Sequence, residues 1–224
     1  MSGSDGVAVK TPRRAHHTYT AEFCPTANEN IKTCSIMSVR SALGGLEVFN
    51  IRINRDAKVI TYTFKQVFQG FENCQAVKDT FGEETDKALN GLGVELYSRK
   101  GYMGVSETTG NLIVSANYLK TGDERSIYLD VIHELVHVRQ FKEGKDLFDP
   151  NYQYVDRPTE VEAYAHSVKE ARRLGMKDDE IMEYLRMEWV SEEEVQRLAK
   201  SVGVLSTMNP KENTLKPTAR RPSR

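Results

Sequence analysis

The chain has 224 residues, with 31 basic and 32 acidic side chains, a formal net charge of −1 and 39% hydrophobic residues. So even a balance gives no electrostatic case for a nucleic-acid binder, and no run approaches the ~18 apolar residues of a membrane-spanning helix. The length suits one sizeable domain, and no linker-like stretch interrupts the middle.

Residues 1–18 are rich in Ser, Gly, Lys, Pro and Arg, lack apolar periodicity, and are expected to be a flexible segment. They contain no apolar core of an export signal, so a cytoplasmic location is expected. Leu46 to Asn54 and Val59 to Phe64 alternate around Arg55-Asp56-Ala57-Lys58, which predicts a hairpin. Gln69 to Leu92 carries helical spacing and ends near Gly91 and Gly93. A second hairpin is predicted from Gly101–Ser106 and Asn111–Leu119, separated by Thr109-Gly110.

Thr121 and Glu124 stand at capping-box spacing and mark a helix start. Ile127, Val131, Leu135 and Val138 form one apolar stripe, Leu129, Ile132 and Val136 a second, and Gly144 offers a stop. A helix that is apolar on nearly all sides is a buried one. Within it lies His133-Glu134-Leu135-Val136-His137. A spacing of four puts both imidazoles on one face, about one turn apart, where their nitrogens converge on one tetrahedral metal. Glu134 lies beside that face, in reach of a metal-bound water whose proton must leave before the oxygen attacks a carbonyl. The pentapeptide therefore offers two metal ligands and a general base, the HExxH pattern of zinc-dependent hydrolases.

A hydrolytic zinc site needs a third protein ligand and one open position. A histidine six residues after His137 would complete one type of site, but Glu143 stands there, and Gln140 replaces the glycine that would accompany it. Asp156 to His166 reads as a second helix, with Pro158 in its first turn and Gly175 beyond its end, and offers Glu160, Glu162 and His166. Glu160 ranks first, because the small Ala163 three residues on lets this helix approach the first closely. Glu162 lies about 200° further round, and Thr159 with Glu162 has capping-box spacing that gives Glu162 another task. His166 remains a third option, since three-histidine sites also occur in hydrolases.

The loop Phe148 to Tyr154 joins the two ligand helices. Tyr152 and Tyr154 on it are the preferred phenols for stabilising an oxyanion, with Tyr164 and His166 as alternatives. Further helices are predicted over Asp178–Met187 and Glu192–Val202, the latter capped by Ser191 with Glu194. Residues 208–224 form a flexible basic tail carrying Lys211, Lys216, Arg220, Arg221 and Arg224, read as solvated rather than as bound to nucleic acid. Cys24, Cys34 and Cys74 are odd in number without CxxC spacing, which suits free thiols in a reducing compartment. The sum is an α+β domain over 19–207, with hairpins and a small sheet first and a helical half last.

Asp123 to Gly175 resembles the gluzincins, in which HExxH is completed by a downstream glutamate, here in the Glu160-Val161-Glu162-Ala163 form of that element. Among them it is most similar to the short prokaryotic minigluzincin-type peptidases. The resemblance implies a zincin-like fold and a metallopeptidase with one zinc per chain, held by His133, His137 and Glu160, with Glu134 as general base. It also implies a peptide or protein substrate, paired with the free edge of the strand before the metal helix, and makes latency through a thiol on zinc a property to consider. The chain departs from the pattern at Tyr164, where many gluzincins keep an aspartate that orients the first histidine. Two other readings fit the same residues: a catalytically silent zinc-binding regulatory or structural module, for which Glu134 would have no use, and a latent protease with one dedicated partner. Nothing in the sequence indicates an oligomeric state.

Overall fold

Strands precede helices along the chain in the computed structural model, which describes residues 35–39 and 49–204, with side chains from 51 onward. The expectations for residues 1–18 and 208–224, for Cys24 and Cys34, and for the start of Leu46–Asn54 lie outside the described residues. The elements in order are β1 (Ser35–Val39), β2 (Phe49–Ile53), β3 (Thr61–Thr63), α1 (Phe64–Val67), β4 (Phe68–Gln69), α2 (Gln75–Phe81), α3 (Thr85–Asn90), β5 (Gly93–Tyr97), β6 (Met103–Val105), β7 (Leu112–Ser115), α4 (Ala116–Thr121), α5 (Glu124–Lys142), α6 (Pro158–Arg173), α7 (Asp178–Leu185) and α8 (Glu192–Ser201). The architecture is α+β, as expected.

Two sheets form. One has the order β1-β2-β4, antiparallel throughout, and the other the order β3-β5-β7-β6. In the second, β5 and β7 run parallel, Val94 opposite Leu112 to Tyr97 opposite Ser115, while β3 and β6 flank them antiparallel.

The expected hairpin of residues 46–54 with 59–64 is corrected, because β2 pairs with β1 and β4 while β3 pairs with β5. Alternation specifies which faces are buried, and leaves the partner open. The connecting Arg55 reaches out of the loop instead, donating to the carbonyl oxygens of Leu119 at 3.1 Å and Lys120 at 3.2 Å and also to that of Gly122.

The helical stretch 69–92 is broken into α2 and α3 at Gly82, whose φ of 56° lies in the left-handed region that favours glycine. The hairpin β6–β7 forms as expected, around Gly110 with φ 70°. A Cβ on Gly110 would lie 2.5 Å from the Phe141 ring of α5, so this turn seats closely on the metal-motif helix. The strand after it is shorter than predicted: Ser115 caps α4, its hydroxyl accepting from the Tyr118 amide at 3.3 Å.

Thr121 does not cap α5. It ends α4, its hydroxyl donating to the Asn117 carbonyl, and Asp123 takes the cap by accepting from the Ser126 amide at 2.9 Å. From Ile127 to Val138 only Asp130 is not buried, which matches the two apolar stripes. Phe64, Phe68 and Phe71 pack ring on ring at 5.3 to 5.9 Å, and Phe71 meets Tyr128 of α5 at 5.4 Å. Each such buried ring contributes roughly 1.5–3 kcal/mol, so this cluster anchors α5 to the N-terminal layer. On its other side α5 packs along α6, where Ala163 is wholly buried and the Ser167 hydroxyl donates to the Leu129 carbonyl at 3.2 Å. Ser191 caps α8 in a reciprocal box with Glu194, as predicted. No helix among the described residues is long and apolar enough to cross a membrane.

Candidate metal centre

One turn of α5 separates His133 from His137, and their Nε2 atoms lie 3.0 Å apart. The first turn of α6 delivers Glu160, whose Oε2 stands 3.3 Å from Nε2 of His133 and 3.4 Å from that of His137. All three side chains are buried, and they make up the one group of three or more potential ligands close enough to share an ion among the described residues. Four ligands held tetrahedrally at 2.0–2.1 Å lie about 3.3 Å from one another. The observed triangle is close to one face of such a tetrahedron. Glu160 Oε2 is moreover buried without a hydrogen bond of its own, an unfavourable state for a carboxylate oxygen unless a cation faces it. These residues fit a metal ion.

The charges agree. Burial disfavours an imidazolium at His137, but the Glu160 carboxylate, the charge of Glu134 and the Gln140 oxygen outweigh it and lift the group to about 9. Burial also opposes ionisation of Glu160, yet the two imidazoles hold its carboxyl far below the usual carboxylate range. A dry carboxylate beside two imidazoles calls for a positive charge between them, supplied by protons or by a metal. Glu134 is buried, 8% exposed, and its charge reaches both His137 and Tyr164.

The two competing ligands go elsewhere. Glu162, about 200° round the helix from Glu160, accepts from Arg139 at 2.5 Å, Gln140 at 2.8 Å and Lys145 at 3.1 Å. It does not close a capping box with Thr159, because Arg157 occupies the N-cap position and Pro158 opens the helix. Its carboxyl is held at about 2, against the effect of burial, by these three donors. His166 is turned away from the triad, with Nδ1 3.4 Å from the Thr80 hydroxyl of α2.

Tyr164, one turn beyond Glu160, lays its ring against His133 with centroids 4.2 Å apart. Its hydroxyl is 3.1 Å from that of Tyr154 and donates to Met187 Sδ at 3.0 Å. Tyr154, in a short 3₁₀ turn before α6, is thus one residue removed from the triad, whereas Tyr152 stands 45% exposed on the loop. The Trp189 ring lies 6.3 Å from that of Tyr154 and 5.4 Å from that of Tyr102, which precedes the outer strand β6. Nothing in the sequence marks Trp189, because its position depends on how the connection between α7 and α8 folds back. Gln140 carries no ligand signal in the sequence beyond its place three residues past His137 on the same helical face. Cys74 is buried beside Tyr128, outside the group of His133, His137 and Glu160, and burial pushes its thiol up to about 12.

Comparison with protein-family models, with curated proteins and with solved structures returns no match.

Proposed function

We propose that the chain is a zinc-dependent metallopeptidase of gluzincin type with a zincin-like fold, its zinc held by His133, His137 and Glu160. The observation that carries this reading is the buried donor triangle of 3.0, 3.3 and 3.4 Å, drawn from two helices, with a carboxylate next to it in sequence that is not one of the three. A zinc ion bound there would supply Lewis acidity and a water acidic enough to lose its proton near neutral pH.

Each side chain then has a task. Glu134 takes the proton of the attacking water and returns it to the leaving amine, so that the general base and general acid are one group. The buried surroundings exclude bulk water and strengthen its electrostatic influence on the reacting atoms. Tyr154, with its hydroxyl on that of Tyr164, is the better placed of the two loop phenols to face an oxyanion. Strand β6, outermost in its sheet and packed near α5, offers a backbone edge for an extended peptide.

The deciding experiment pairs metal analysis with proteolysis. Purified protein is expected to carry about one zinc per chain, lost in His137→Ala, and to cleave denatured casein. Zinc retention in His137→Ala would show the ligand set to be wrong. Zinc without cleavage in the native chain would favour a silent metal-binding module.

A further inference from the structure

Gln140 is wholly buried, and each of its polar atoms is committed. Its Nε2 donates to the Thr159 carbonyl at 3.0 Å and to Glu162 Oε2 at 2.8 Å, which uses both amide hydrogens. The amide can therefore take only one orientation, with Oε1 toward His137 at 2.7 Å from Nδ1. An oxygen can only accept, so Nδ1 of His137 carries the hydrogen, and Nε2 is the nitrogen presented to His133 and Glu160.

The same amide spans both ligand helices. Thr159 immediately precedes Glu160, so Gln140 grips the second histidine with one end and the segment that carries the glutamate with the other. Behind it, Glu162 is held by Arg139 and Lys145, and Arg139 is further paired with Glu143. A hydrogen bond from an amide to a charged carboxylate polarises the amide, which makes its oxygen a stronger acceptor and the imidazole beyond it a better donor to a metal.

We propose that Gln140 is a positioning residue of the metal centre. It fixes which nitrogen of His137 faces the metal and sets the spacing between His137 and Glu160, with Glu162 as its electrostatic anchor. This rests on the metallopeptidase reading above. Glu162, a chemically plausible ligand by sequence, thus serves the centre from one residue away.

The test compares native chain, Gln140→Met, Gln140→Glu and Glu162→Gln by zinc competition against a chromogenic chelator and by histidine ¹H–¹⁵N spectra. Methionine keeps the volume and removes every hydrogen bond, and is expected to weaken zinc binding about 10- to 100-fold while exposing the His137 Nδ1 proton to exchange. Gln140→Glu keeps an acceptor for that proton and is expected to retain its protection. Glu162→Gln, on a partly exposed side chain, leaves the His137–Gln140–Thr159 chain in place and is expected to weaken zinc less than Gln140→Met does. Native-like zinc affinity and unchanged His137 signals in folded Gln140→Met would overturn the proposal, as would a larger loss in Glu162→Gln. If the native chain binds no zinc, the proposed function falls; the metal-free spectra still decide the orientation of His137, and equal Nδ1 protection in native chain and Gln140→Met overturns it.

Discussion

Tyr164 lies with its ring against His133, the centroids 4.2 Å apart and the planes at 58°, at the position where the gluzincin resemblance leads one to expect an aspartate. The first histidine of the motif is braced by an aromatic face and the second by an amide oxygen. Packing against a rigid ring restrains the tilt of an imidazole. Tyr164→Phe keeps that wall and is expected to hold zinc with nearly native affinity. Tyr164→Ala opens a cavity beside His133 and is expected to weaken zinc about tenfold or more, read by chelator competition. Equal affinities in the two variants would remove the ring from the account.

Replacing the proposed base separates binding from chemistry. Glu134→Gln is expected to retain zinc and to lose casein hydrolysis by about 10²- to 10⁴-fold, measured as the initial rate at saturating substrate. A rise in KM alone, with kcat unchanged, would place Glu134 in binding instead.

Glu162 makes an acid-sensitive tie between α5 and α6. Its folded-state carboxyl is depressed to about 2, so its contribution to stability is fully present above the ordinary value of 4.5 and is lost as pH falls from there toward 2. The stability gap between native chain and Glu162→Gln, from urea unfolding of the metal-free proteins, is expected to be constant above pH 5 and to narrow across that window. A gap that widens on acidification would contradict the assignment.

Ala163, one turn before Ser167 on the side of α6 that meets α5, has no exposed surface. Ala163→Leu forces them apart, and is expected to cost about 1–3 kcal/mol of stability and to weaken zinc binding by lengthening the reach required of Glu160. Thermal unfolding with and without zinc measures both effects. A variant as stable and as tightly loaded as the native chain would mean that helix spacing does not set the site.

Much of the fold was legible because it is local. The apolar stripes of α5, the Pro158 entry to α6 and the Ser191 cap of α8 are set by side chains within a turn or two of one another, and all appear where the sequence puts them. Errors arose where a local signal had two outlets. Thr121 and Asp123 both qualify as caps, and the outcome depended on α4 claiming Thr121. The strands around Arg55 to Lys58 alternate as a hairpin would, yet their edges find partners far along the chain, and Arg55 is held by carbonyls more than sixty residues away.

The candidate centre divides in the same way. Helical geometry alone requires that His133 and His137 share a face one turn apart with Glu134 at its side, so the sequence by itself determined two imidazole donors and a neighbouring carboxylate. Whether Glu160, Glu162 or His166 joins them depends on the height and rotation at which α6 crosses α5, and only tertiary packing around Ala163 and Ser167 decided it. Gln140 belongs to both levels. Its place on the histidine face follows from the helical repeat, but its role exists only because Thr159 and Glu162 arrive from another helix to hold its amide in one orientation.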